Sequence, residues 1–150
     1  SRAIITTLGL EEWIRYVPNH HFAPHLPADM AHWLDSLQWF CMMAATHFFG
    51  VALPEETFYR GYLQPRLEAL WPPKTLIFGA LLGKAALISA ALFALGHFLG
   101  EWNPLRLGPF FPALVFAWQR NKTGNIWGAI AYHGLCNILG EVLFSLYAPN

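Results

Sequence analysis

Charge is what this chain has least of. Only 12% of its 150 residues are Asp, Glu, Lys or Arg, against roughly 25% in an average soluble domain. Nine basic residues balance nine acidic ones. With no net charge and no basic run, electrostatic binding of nucleic acid is excluded. Cysteine is scarce too. Cys41 and Cys136 lie in apolar stretches without CxxC spacing, which rules out a disulfide framework or zinc knuckle and leaves free, buried thiols as the expectation. No internal repeat, low-complexity tract or linker divides the chain. Residues 1 to 33 lack the charged, apolar and small-residue regions of a signal peptide. The chain opens Ser-Arg-Ala without Met, so the expectation is a fragment or processed product.

What the chain does have is apolar surface. Hydrophobic residues make up 55% and aromatic residues 16%, and Trp33, Trp39, Trp71, Trp102, Trp118 and Trp127 fall near the ends of apolar stretches, as anchors at a membrane interface do. Lipid is therefore the expected solvent. The predicted fold is an all-α, polytopic integral-membrane bundle of four to five membrane helices, itself possible as a piece of a larger bundle.

Residues 1 to 33 mix charge, proline and His20, His21, His25 and His32; a peripheral or interfacial segment is expected, with residues 34–150 as the membrane core. The histidines lack a helical frame and a carboxylate partner, so a solvated loop is preferred to a metal site. About 20 apolar residues from Leu34 suffice to cross a hydrocarbon core of roughly 30 Å. Pro54 then either kinks this helix or starts a new one. The next helix, Thr57 to Leu70, carries Phe58, Leu63, Leu67 and Leu70 on one side and Arg60, Gln64 and Glu68 on another. Trp71-Pro72-Pro73 stops it. An apolar stretch broken by Gly79 and Gly83 follows, then helices over about Lys84–Leu99, Phe110–Gln119 and Ile126–Tyr147. Arg66, Lys74, Arg120 and Lys122 would share the cytoplasmic face.

Three fragments place reactive groups in this apolar frame: Glu55-Glu56-x-x-x-Arg60, Phe93-x-x-x-His97 and His133-x-x-x-Asn137. An ionisable side chain in hydrocarbon costs several kcal/mol unless paired or hydrated, so each is a functional-site hypothesis by default. Residues four apart share a helix face. Glu56 and Arg60 thus form a favourably ordered ion pair, Phe93 packs beside His97, and His133 projects with Asn137. Glu55 points about 100° away from Glu56, so one carboxylate can be structural while its neighbour reacts. At 1.5 Å per residue, Glu55 lies about 16 Å from Arg66, His133 about 15 Å and Asn137 about 21 Å from Thr123, and His97 about 20 Å from Lys84. The groups meet at one level if the third helix begins near Gly83. His47 reads as packing or a secondary polar contact.

These fragments and their order resemble the CPBP family of CAAX prenyl proteases and bacteriocin-processing or Abi-type intramembrane endopeptidases. The first fragment continues with Gly61-Tyr62-Leu63, as it commonly does in that family. The resemblance, over about residues 37 to 147, implies a glutamate-dependent peptidase: Glu55 and His97 to activate water, His133 and Asn137 to stabilise the tetrahedral oxyanion, and Glu56, Arg60 and Phe93 in support. Hydrolysis of a peptide bond asks for such a deprotonated water and for donors aimed at the developing oxyanion.

No cofactor is expected. The competing metal reading takes Glu55, His97 and His133 as a zinc site, although HExxH is absent and Asn137 would then have no role. A non-catalytic transport or binding module with a buried proton or ion relay is the other alternative; a relay spreads its groups along a path rather than gathering them at one depth. Expected partners are the bilayer and a peptide or protein substrate, lipidated or membrane-tethered: a CAAX-type tail, a bacteriocin leader or a C-terminal sorting signal. The expected location is the inner membrane of a prokaryotic cell.

Overall fold

Helical turns run without interruption from Met30 to Leu70 in a computed structural model that describes residues 30–147 and the side chains of 33–143. We call this run α1. It alternates α-helix over Met30–Ala45, Leu53–Glu56 and Gln64–Leu70 with π-helix over Thr46–Ala52 and Thr57–Leu63. Each π segment ends just before a turn that contains a proline, Pro54 or Pro65. A proline in a helix loses one hydrogen bond and crowds the carbonyl four residues back, and a widened turn relieves that crowding without stopping the helix. Pro54 therefore starts no separate helix.

The π turns also set the phase of α1. In an ideal α-helix a four-residue step overshoots a full rotation by about 40°. The wider π turns rotate each residue less and take up the excess. Ala52, Glu56, Arg60 and Gln64, four apart, consequently lie on one side, each fully buried. Their opposites, Phe58, Tyr62 and Leu70, are more than half exposed. A helix in water turns its polar side outward. Here the polar stripe faces the protein, and the apolar side faces a solvent that must itself be apolar.

The remaining helices are α2 (Lys84–Glu101), α3 (Phe110–Thr123) and α4 (Trp127–Tyr147), with a short 3₁₀ turn over Pro104–Leu107. They agree with the sequence-based segments, save that α3 runs on through Arg120 to Thr123, where Gly124 ends it at φ +72°. Helix α2 packs on α3, α3 on α4, and α4 returns against the Thr46–Ala52 segment of α1. The buried core contains Ala90, Phe93, Ala113, Phe116 and Ala129, with Tyr59, Phe110 and Leu114 against it. Small residues let helix backbones approach closely, the way helices associate in lipid. At Gly134 the approach is so close that a Cβ would lie 2.5 Å from the Phe48 ring.

Among the described residues two helices are long and apolar enough to cross a membrane, Trp33–Leu70 and Lys84–Glu101. The first, with 38 residues, extends about 57 Å, well beyond a hydrocarbon core of about 30 Å. Exposed Trp33 and Trp71 stand at its two ends. The four to five membrane helices expected from the sequence are thus met by two on these criteria.

One element departs from an all-α chain. Thr75–Ile77 and Ala80–Leu82 pair antiparallel, Thr75 with Leu82 and Ile77 with Ala80. Phe78 and Gly79 both take positive φ, 46° and 79°, the mark of a tight two-residue hairpin turn. Three donors of α3 hold this hairpin: Trp118 Nε1 to Ile77 O at 3.0 Å, Asn121 Nδ2 to Leu81 O at 2.8 Å and Lys122 Nζ to Gly79 O at 3.2 Å. Gly79 in the sequence marked the break but not the pairing. Cys41 and Cys136 are free; contrary to expectation Cys41 is exposed and Cys136 only part-buried. The His20, His21 and His25 cluster lies outside the described residues.

Candidate active site

The buried stripe of α1 meets α3 in matching register. Arg60 Nη2 donates to Ala113 O at 3.0 Å, and Gln64 Nε2 to Ala117 O at 3.4 Å, so that a four-residue step on one helix meets a four-residue step on the other. Arg60 Nη1 donates to Glu56 Oε1 at 3.1 Å, completing the ion pair expected from the spacing. Phe93 and Phe116 flank the guanidinium, their ring centres 4.6 and 5.0 Å from its carbon. Aromatic faces favour such a cation, and a carboxylate, a carbonyl and two rings offset the burial of its charge, although its Nε has no hydrogen-bond partner among the described residues. Gln64 continues the stripe to Asn121 and Glu68, and Glu68 accepts from Arg120 at 2.9 Å. This network ties α1 to α3 at the end that carries Arg120 and Lys122.

His133 comes to the same carboxylate from α4. Its Nδ1 lies 2.9 Å from Glu56 Oε1, and its Nε2 3.8 Å from Glu55 Oε2. The ring stacks on Phe116 at 5.0 Å and meets Phe93 edge-on at 5.6 Å. A carboxylate oxygen accepts, so Nδ1 carries the proton in that bond. Nε2 can donate toward Glu55 only when the ring is doubly protonated. The two glutamates thus differ as their 100° separation predicts. Glu56 is sealed between Arg60 and His133, whereas Glu55 is part-exposed and lines a cavity of about 470 Å³.

That cavity is bounded by Glu55, Tyr59, Gly96, His97, Gly100 and Glu101. Beginning α2 at Lys84 brings His97 to the depth of Glu55. His97 Nδ1 lies 3.0 Å from the Phe93 carbonyl, which can only accept. The proton is therefore on Nδ1 and Nε2 is left as the basic atom. Phe93 packs beside the imidazole with ring centres 4.6 Å apart. At the rim Glu101 pairs with Arg106, and this bond holds the Arg106 guanidinium above its ordinary value. Asn137, one turn beyond His133, is part-buried and has no hydrogen-bond partner among the described residues. His47 presents a buried Nδ1 without a hydrogen-bond partner among the described residues.

Glu55, Glu56, Arg60, Phe93 and His133 form one contiguous cluster, and His97 joins it through the shared cavity. Tyr59, Phe116 and Gln64 belong to the same surroundings. The sequence carried a signal for Gln64, which shares a four-residue spacing with Arg60; nothing in it marked Phe116, whose role depends on α3 crossing α1. No group of three or more His, Cys, Asp or Glu among the described residues is arranged to hold a metal ion. Of the three side chains of the zinc reading, His133 has its Nδ1 on Glu56 and its Nε2 toward Glu55 at 3.8 Å, and His97 lines the same cavity as Glu55.

Searches of curated proteins and of solved structures gave no match. The family model for type II CAAX prenyl endopeptidase, Rce1-like, matches residues 37–139. That span contains the whole cluster on α1, α2 and α4 and well over half of the chain. The apolar, inward-polar helices and this match together make the chain a membrane-embedded member of the Rce1-like type II CAAX prenyl endopeptidase family.

Proposed function

We propose that the protein hydrolyses a peptide bond near the bilayer with Glu55 as the base that activates water. The observation that carries this reading is the contrast between the two carboxylates. Glu56 is fully buried and bonded to Arg60 and His133, while Glu55 opens on the cavity that His97 also lines. In this scheme Glu55 takes a proton from water, and the hydroxide formed attacks the carbonyl carbon. His133 Nε2, on a doubly protonated ring, and the Asn137 amide donate to the oxyanion. When the tetrahedral intermediate collapses, the C–N bond breaks and the leaving amine receives the proton from Glu55, with His97 Nε2 accepting and passing protons beside it. Glu56 and Arg60 hold His133 in place.

The scheme uses no metal, and it takes as substrate a membrane-tethered peptide of the CAAX type, a bacteriocin leader or a sorting signal, in a prokaryotic cell membrane. The test is cleavage by the purified protein in liposomes of prenylated CAAX, leader and sorting-signal peptides. Glu55→Gln and His97→Ala are each compared with wild type. Loss of a general base costs about a hundred- to ten-thousand-fold. Full activity in Glu55→Gln would overturn the scheme.

A further inference from the structure

At the opposite end of α2 from His97 two cavities adjoin, sharing Thr75, Gly83 and Leu87. The larger, about 680 Å³, lies under the hairpin against α3 and is lined by Ile77, Phe78, Leu82, Leu114, Val115 and Trp118 among others. Phe78 is 88% exposed and Leu87 53%, so this groove opens sideways, toward the same surroundings that cover the apolar side of α1. The smaller cavity, about 550 Å³, carries Lys74 and Lys84 beside Trp71. Neither lysine has an ion-pair or hydrogen-bond partner among the described residues, and neither cavity has a carboxylate in its lining.

Lys84 is also the first residue of α2, and Gly83 before it offers no side chain to cap the helix. The first-turn amides and the helix dipole therefore add to the two ammonium groups. Arg120 and Lys122, on the adjoining end of α3, belong to the face that the distribution of basic residues makes cytoplasmic, where anionic lipids concentrate.

We propose that this pair of cavities binds an anionic phospholipid, with its phosphate held by Lys74, Lys84 and the N-terminus of α2 and an acyl chain lying in the hairpin groove. An apolar slot continuous with a doubly cationic one fits a molecule that has a long apolar tail and a negative head. Leu87 lies ten residues before His97 on α2, about 15 Å along the axis, so the lipid sits outside the catalytic cavity. The proposal does not depend on the peptidase chemistry.

The test uses the full chain in nanodiscs of phosphatidylglycerol and phosphatidylcholine in equal parts, with retained lipid read by native mass spectrometry. Wild type is expected to retain phosphatidylglycerol preferentially. Lys74→Gln/Lys84→Gln is expected to lose that preference on the order of tenfold, and Val115→Trp, which fills the groove, to lower retention while both lysines remain. Lys74→Gln alone, giving a partial loss, serves if the double variant does not fold. Equal retention of the two lipids by wild type, or an unchanged preference in the lysine variants, would overturn the proposal. So would displacement of the lipid by a farnesylated peptide, which would make the groove part of substrate binding.

Discussion

His133 Nδ1 stands 2.9 Å from Glu56 Oε1, so the histidine on α4 is oriented by the more deeply buried acid on α1. Arg60 shares that oxygen. Glu56→Ala should therefore act twice, leaving Arg60 uncompensated and removing the acceptor that fixes the His133 tautomer. Breaking a buried pair by removing one partner costs about 3–5 kcal/mol. We expect a large drop in thermal unfolding temperature in detergent together with lost cleavage. Glu55→Gln should lose cleavage at near wild-type stability. Equal stability of the two variants would show that the carboxylates are not divided into structural and reactive.

Asn137→Ala should leave folding and KM close to wild type while kcat falls about a hundred- to a thousandfold, the typical loss of one oxyanion donor. The amide has no hydrogen-bond partner among the described residues whose loss would destabilise the native state. A rise in KM at unchanged kcat would move Asn137 from stabilising the transition state to holding substrate.

Gly134→Ala places a methyl group 2.5 Å from the Phe48 ring. Overpacking of this kind costs about 1–3 kcal/mol. The expected result is a lowered unfolding temperature, partly restored by Phe48→Leu in the same chain. Failure of that second change to restore stability would place the strain elsewhere on the contact between α1 and α4.

Treatment with a chelator, followed by removal of the chelator, should leave the rate of peptide cleavage unchanged. The physical ground is that no three His, Cys, Asp or Glu side chains among the described residues are arranged to hold a metal ion. Loss of activity restored by zinc would overturn the metal-free scheme in favour of Glu55, His97 and His133 as ligands.

Four-residue spacings made much of this molecule legible in advance. Glu56 with Arg60 and Phe93 with His97 are found as the helix repeat demands, and the start of α2 at Lys84 follows from bringing His97 level with Glu55. The sequence did not show the partners that helices acquire only by packing. Phe116 on His133 and the Ala113 carbonyl on Arg60 depend on how α3 crosses α1. Pro54 also read as a boundary, because a proline's local cost is visible in sequence and the π turn that absorbs it is not. The hairpin escaped for a related reason: three-residue strands carry too little alternation to register, and the donors that secure them come from α3, some 40 positions on.

Because α and π turns alternate between Ala52 and Gln64, the alignment of that stripe depends on chain length as much as on residue identity. Deleting one residue there would turn everything beyond it by about 100°, carrying Arg60 or Gln64 from the protein interior into lipid. This helix should therefore accept many substitutions on its outer side and almost no insertion or deletion across those thirteen positions. Drift in its outward sequence would leave the acid pair where it is; a change of one in its count would not.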